Sequence, residues 1–172
     1  MKRGFAELTP VEALQAAISI ERRNTEIYQN LAQTFASYDR SLGELFGSMA
    51  EEEVNHRLAL EDYLRQQFPG EQPSQRLDPG IREVVEAPDL EEPEVFIFDN
   101  VTVDQAIDMA ERAETEACDF YQAMARQVTD AGLKRLCQHM AEVEAEHRGT
   151  FVRWKQSRAS AQDLQAPKGG SL

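Results

Sequence analysis

Glu-x-x-His occurs twice in the sequence, as Glu53/His56 and Glu144/His147. Each pair is preceded, 30 to 32 residues upstream, by a Glu with a Tyr seven residues beyond it: Glu21 with Tyr28, and Glu114 with Tyr121. The chain has 3 His, and two of them stand in this motif. Together these residues offer four carboxylates and two imidazoles, a complete ligand set for two divalent cations. Mixed oxygen and imidazole donors without thiolate suit iron or manganese better than zinc–thiolate chemistry. Side chains three apart on a helix point about 60° from each other, so both members of each Glu-x-x-His can reach one ion.

Such ligands must sit on helices that bring them together, and hydrophobic periodicity predicts four. The first runs from Pro10 to about Ala36, opened by a capping box at Thr9-Pro10-Val11-Glu12. The second runs from about Ser41 to Gln67, the third from Val103 to about Val128 behind a Thr102/Gln105 cap, and the fourth from about Ala131 to Gln156. The inner seam of the second helix reads Leu42, Phe46, Met49, Glu53, His56, Leu60, Tyr63, and that of the fourth Leu133, Cys137, Met140, Glu144, His147, Phe151, Trp154. Both step 4-3-4-3-4-3, the spacing of helices packed lengthwise in a bundle, and they differ by 91 residues throughout. The first and third seams, Leu14, Ile18, Glu21, Thr25, Tyr28, Ala32, Phe35 and Ile107, Glu111, Glu114, Cys118, Tyr121, Ala125, Val128, differ by 93. This is the pattern of a duplicated helical hairpin.

Short loops join the helices within each half and make them antiparallel neighbours. The halves are joined by residues 69–100, rich in Pro and acid and long enough to run the length of a helix of about 40 Å. The expected fold class is therefore all-α: a four-helix bundle of two duplicated hairpins with a long crossover between helices 2 and 3. It occupies residues 1–158, and residues 159–172 read as a disordered tail. The crossover's apolar Val95–Phe98 piece is expected to pack on the bundle or on a second subunit. All four seam carboxylates fall near mid-helix and so at one level. A buried, unpaired carboxylate costs several kcal/mol or takes up a proton. Four of them at one level call for cations, and the arrangement matches the template of dinuclear carboxylate sites in helical bundles.

Composition narrows the alternatives. A net charge of −13 opposes binding to nucleic acid. No segment approaches the roughly 20 apolar residues of a membrane span, and no secretory signal is visible, so a cytoplasmic location is expected. The 2 Cys, Cys118 and Cys137, form no Cys-x-x-Cys pair and read as reduced core thiols.

The stretches Glu114–Tyr121 and Ala141–His147, with Glu21–Tyr28 and Glu51–His56, resemble the rubrerythrin branch of the ferritin-like superfamily, across Pro10–Gln67 and Val103–Lys155. The resemblance implies a diiron-carboxylate centre with two iron ions, for which manganese or zinc would be substitutes. Glu53 and Glu144 would bridge the irons, Glu21 and Glu114 would be terminal ligands, and His56 and His147 would each complete one iron. It further implies reduction of peroxide, or reaction with dioxygen, with electrons from an external donor such as a rubredoxin-like protein or a flavoprotein, and a homodimer. The sequence departs from the family in carrying no rubredoxin domain. It also has Ala117 where the family has an extra Glu one turn past the terminal ligand of the third helix. Glu111 stands instead one turn before Glu114, a candidate additional ligand. A register with Glu111 as the terminal ligand is disfavoured, because it sets Cys118 opposite Tyr28 and leaves Gln122 on the seam.

Around the ligands, Tyr28 and Tyr121 are read either as hydrogen-bond partners of ligand carboxylates or as core aromatics. Cys118 is read as a small core residue, His139 as surface, and Glu51, Glu52, Glu142 and Glu146 as solvated charge. The alternatives to an enzyme are ferritin-like binding and oxidation of ferrous iron without a reductant, and a metal-free bundle.

Overall fold

The computed structural model describes residues 7–37, 39–74, 76, 81 and 101–165, with side chains through residue 158. Its described residues form helix α1 (Pro10–Phe35), α2 (Arg40–Gln67), α3 (Val103–Gln127) and α4 (Ala131–Gln165). Each start has a side chain on the otherwise unpaired first-turn N–H groups. Thr9 with Glu12 and Thr102 with Gln105 form complete capping boxes. The Asp39 carboxylate accepts from the Leu42 N–H at 3.1 Å, and that of Asp130 from the Leu133 N–H at 2.7 Å.

One boundary differs substantially from the sequence reading. α4 continues to Gln165, so residues 159–165, expected in a disordered tail, are helical. The reason is local: no Gly or Pro interrupts the chain between Phe151 and Pro167. Residues 166–172 and the Val95–Phe98 segment lie outside the described residues.

Two apolar clusters give the topology. One gathers Leu14, Leu60, Leu64, Met124 and Leu133, from the start of α1, the end of α2, the end of α3 and the start of α4. The other gathers Phe35, Leu42, Phe46, Ile107 and Phe151, from the opposite ends of the same helices. Each hairpin is therefore antiparallel, and α2 and α3 run parallel, which requires the long crossover. Gly70, with φ 105°, turns the chain out of α2 in a backbone region that glycine enters without strain. The crossover then sets out along α1. The Gln15 side chain donates to the Gln72 carbonyl and accepts from the Ser74 N–H, both at 2.8 Å, and Arg22 donates to the Ser74 carbonyl at 3.1 Å. Ile81 is buried in the first cluster.

The second cluster centres on packed rings. Phe46 lies about equally far from Tyr28 (6.1 Å), Phe151 (6.0 Å) and Phe35 (5.9 Å). No described helix is long and apolar enough to cross a membrane. Phe46→Ala removes the ring shared by three others and should destabilise the bundle by about 3–5 kcal/mol. Urea unfolding of the variant, with an unchanged slope and a lower midpoint, checks this.

Candidate metal centre

Between the two apolar clusters lies a polar layer. The 4-3 stepping that turns Leu and Phe inward also turns Glu21, Glu53, Glu114 and Glu144 inward, and all four are 0% exposed. His147 is buried, and His56 is the most open of the six, its side chain 16% exposed. Glu53, His56, Glu144 and His147 each present a ligand atom within 4.8 Å of the others. Both imidazoles turn Nδ1 toward the carboxylates. His56 Nδ1 is 3.6 Å from Glu21 Oε2 and 3.6 Å from Glu144 Oε1. His147 Nδ1 is 3.5 Å from Glu53 Oε1, 3.7 Å from Glu144 Oε2 and 3.8 Å from Glu114 Oε2. The rings stack with centroids 5.3 Å apart. All six expected ligands are thus in one place.

These separations exceed hydrogen-bonding distance, and the atoms concerned are left without partners. Both oxygens of Glu53, both of Glu144, Oε2 of Glu21, Oε2 of Glu114, and Nδ1 of each histidine are buried with no hydrogen bond among the described residues. Buried polar atoms are ordinarily satisfied, and a convergent set that is not points to an ion. The division is informative. The remaining oxygens of the other two carboxylates are occupied: the Tyr121 hydroxyl donates to Glu21 Oε1, and the Tyr28 hydroxyl to Glu114 Oε1. Two carboxylates therefore have both oxygens free, and two have one free. The donor set fits a carboxylate–imidazole metal centre. The tyrosine bonds are reciprocal: each hydroxyl holds the carboxylate of the other half.

Other residues fall outside this layer. Glu111, the candidate additional ligand, is not brought in; its carboxylate and that of Asp108 pair with Lys155 at the surface. Glu114 holds the inward place, in agreement with the preferred register. Cys118 is a core residue whose Sγ lies 3.4 Å from the Ala141 carbonyl, and both thiols are free. Burial pushes the Cys137 thiol up to about 12. One reading of the sequence is extended. Glu52, taken for solvated charge, has its Oε2 2.8 Å from Nε2 of His147. Its side chain is 49% exposed, so the hydrophobic pattern carried no sign of it. Its one signal was its place immediately before Glu53.

Without an ion the layer holds protons. Burial, with neighbouring carboxylates adding to it and His147 opposing, raises the Glu53 carboxyl to about 11 and that of Glu144 to about 9. Burial alone would lower His147, but Glu114, Glu144 and Glu53 outweigh it and hold the imidazolium far above its usual range. Burial and then the bonded carboxylate raise Tyr28 and Tyr121 well above ordinary phenols.

The fold and the donor set define a class: a four-helix bundle of two antiparallel hairpins with a buried carboxylate–imidazole centre. A family model for rubrerythrins matches residues 12–155, and again residues 105–168, and the chain belongs to the rubrerythrin family. A solved structure of a hypothetical protein from Pyrococcus furiosus has a similar fold, with a TM-score of 0.60 and 24% identity over 88% of this chain and 90% of that one. Among curated proteins no match was found.

The protons predict a pH dependence. Unfolded carboxylates ionise near about 4.3 and unfolded His near about 6.5. The raised Glu53 and Glu144 keep protons that the unfolded chain releases, so stability falls as pH rises from about 4.3 through their folded values. The raised His147 contributes fully below about 6.5 and loses its contribution above it, in the same direction. Thermal melts of metal-free protein should therefore fall in midpoint from about pH 5 to about pH 9. Glu53→Gln/Glu144→Gln should flatten that slope.

Proposed function

We propose that the centre holds two iron ions and reduces hydrogen peroxide to water, taking electrons from a separate donor such as a rubredoxin-like protein or a flavoprotein. The observation that carries this reading is the pattern of unpartnered atoms. Glu53 and Glu144, with both oxygens free, suit ligands shared between two ions; Glu21 and Glu114, with one free oxygen each, suit ligands of a single ion. One histidine nitrogen serves each position. Two ferrous ions supply the two electrons that, with two protons, convert one peroxide to two waters.

The chain's own residues arrange this chemistry. Tyr28 and Tyr121 pin the single-ion carboxylates, so that each offers one oxygen inward. The apolar clusters above and below exclude water along the bundle axis. Of the six side chains, His56 is the most open to solvent, so the layer comes closest to the surface on the histidine side.

A second reading, binding and oxidation of ferrous iron for iron handling, is favoured by the net charge of −13, which attracts cations. Iron content separates the two: about two ions per chain for the enzyme, and clearly more for storage.

In stopped-flow mixing, the reduced iron-loaded protein should be oxidised at least about tenfold faster by peroxide than by equimolar dioxygen, a difference of about 1.4 kcal/mol in barrier. Equal rates contradict the peroxidase reading. Glu53→Ala or His147→Ala should each lose at least half the bound metal by elemental analysis, because each removes donors from the buried set.

A further inference from the structure

The six ligands obey the internal repeat, but the group behind them does not. Nε2 of His147 lies 2.8 Å from Glu52 of α2, the residue immediately before Glu53. The 91-residue step that carries Glu53 to Glu144 and His56 to His147 carries Glu52 to Val143, a half-buried side chain with no acceptor. Among the described residues, the carboxylates that approach His56 do so at Nδ1, from Glu21 and Glu144, and none lies on its Nε2. One imidazole is therefore tied across the bundle by a carboxylate, and the other is not.

A metal-binding imidazole must keep its proton on the nitrogen that faces away from the ion. A carboxylate accepting that N–H fixes the tautomer and the ring orientation and makes the inward nitrogen a stronger donor. His147 has this support and His56 lacks it. We propose that Glu52 is a positioning residue that makes the two cation positions unequal: the position served by His147 and Glu114 fills first and more tightly, and the one served by His56 and Glu21 fills second. This rests on the two-ion reading above. It adds that the duplicated hairpins do not make equivalent halves of the centre, and that the difference is set from outside the ligand shell.

The test is stepwise cobalt(II) titration of the full-length metal-free protein, followed by calorimetry and by the visible bands of the bound ion. Wild-type protein should bind two equivalents in resolved steps. Glu52→Gln and Glu52→Ala should weaken the first step by about 10–100-fold and leave the second nearly unchanged, merging the two. Val143→Glu should tighten the second step. In proton NMR of the cobalt-loaded wild type, one imidazole N–H should exchange slowly with water and one rapidly; Glu52→Ala should make both rapid. A purely structural role for Glu52 would lower both steps alike and shift the melting temperature of the metal-free protein, and that result overturns the proposal. So does an unchanged first step in both Glu52 variants. If the wild type binds no cobalt, the two-ion reading itself falls; if it binds two equivalents that ignore Glu52, only the positioning role falls.

Discussion

Four carboxylates buried at one level of a helical bundle are the constraint from which the rest of the molecule follows. Glu21, Glu53, Glu114 and Glu144 are fully shielded from solvent. Like charges so placed cannot all ionise without compensating cations. The layer has two ways to exist. It can hold protons, as the raised Glu53 and Glu144 and the imidazolium of His147 show, or it can trade those protons for metal. Metal binding and proton release are then one event. An apolar layer would make a more stable bundle, so the sequence sacrifices stability at this level for a site.

The surrounding structure makes that layer tolerable. Apolar clusters close both ends, one mainly of aliphatic residues from all four helices and one built on packed aromatic rings. The reciprocal tyrosines do two jobs at once. Their rings fill the core, and their hydroxyls satisfy one oxygen each of Glu114 and Glu21 across the repeat. Each half thus orients a carboxylate of the other, which couples the hairpins through the polar layer as well as through packing.

Much of this was legible in the sequence because helical periodicity constrains depth as well as face. The 4-3 steps put all six candidate ligands on inner faces, and the mid-helix position of the four carboxylates put these at one level. The capping threonines marked two helix starts correctly. What escaped was whatever periodicity does not encode. Glu52 lies on an exposed face, and only the approach of α4 brings His147 onto it. The symmetry break visible in the sequence, Ile18 against Glu111, proved peripheral, because Lys155 draws Glu111 outward. The break that touches the centre is Glu52 against Val143. The last helix was cut short at Gln156 because its amphipathic seam ends there, whereas helix propensity carries the backbone on to Gln165.

The proposed function requires the polar layer to be a dinuclear metal centre. Anomalous diffraction at the iron absorption edge, from crystals of the iron-loaded protein, tests it most directly. A dinuclear centre gives two peaks inside the bundle about 3.5–4 Å apart, one beside Nδ1 of His56 and the other beside Nδ1 of His147, with Glu53 and Glu144 between them. A single peak, or metal confined to the acidic surface while the layer stays protonated, would contradict it.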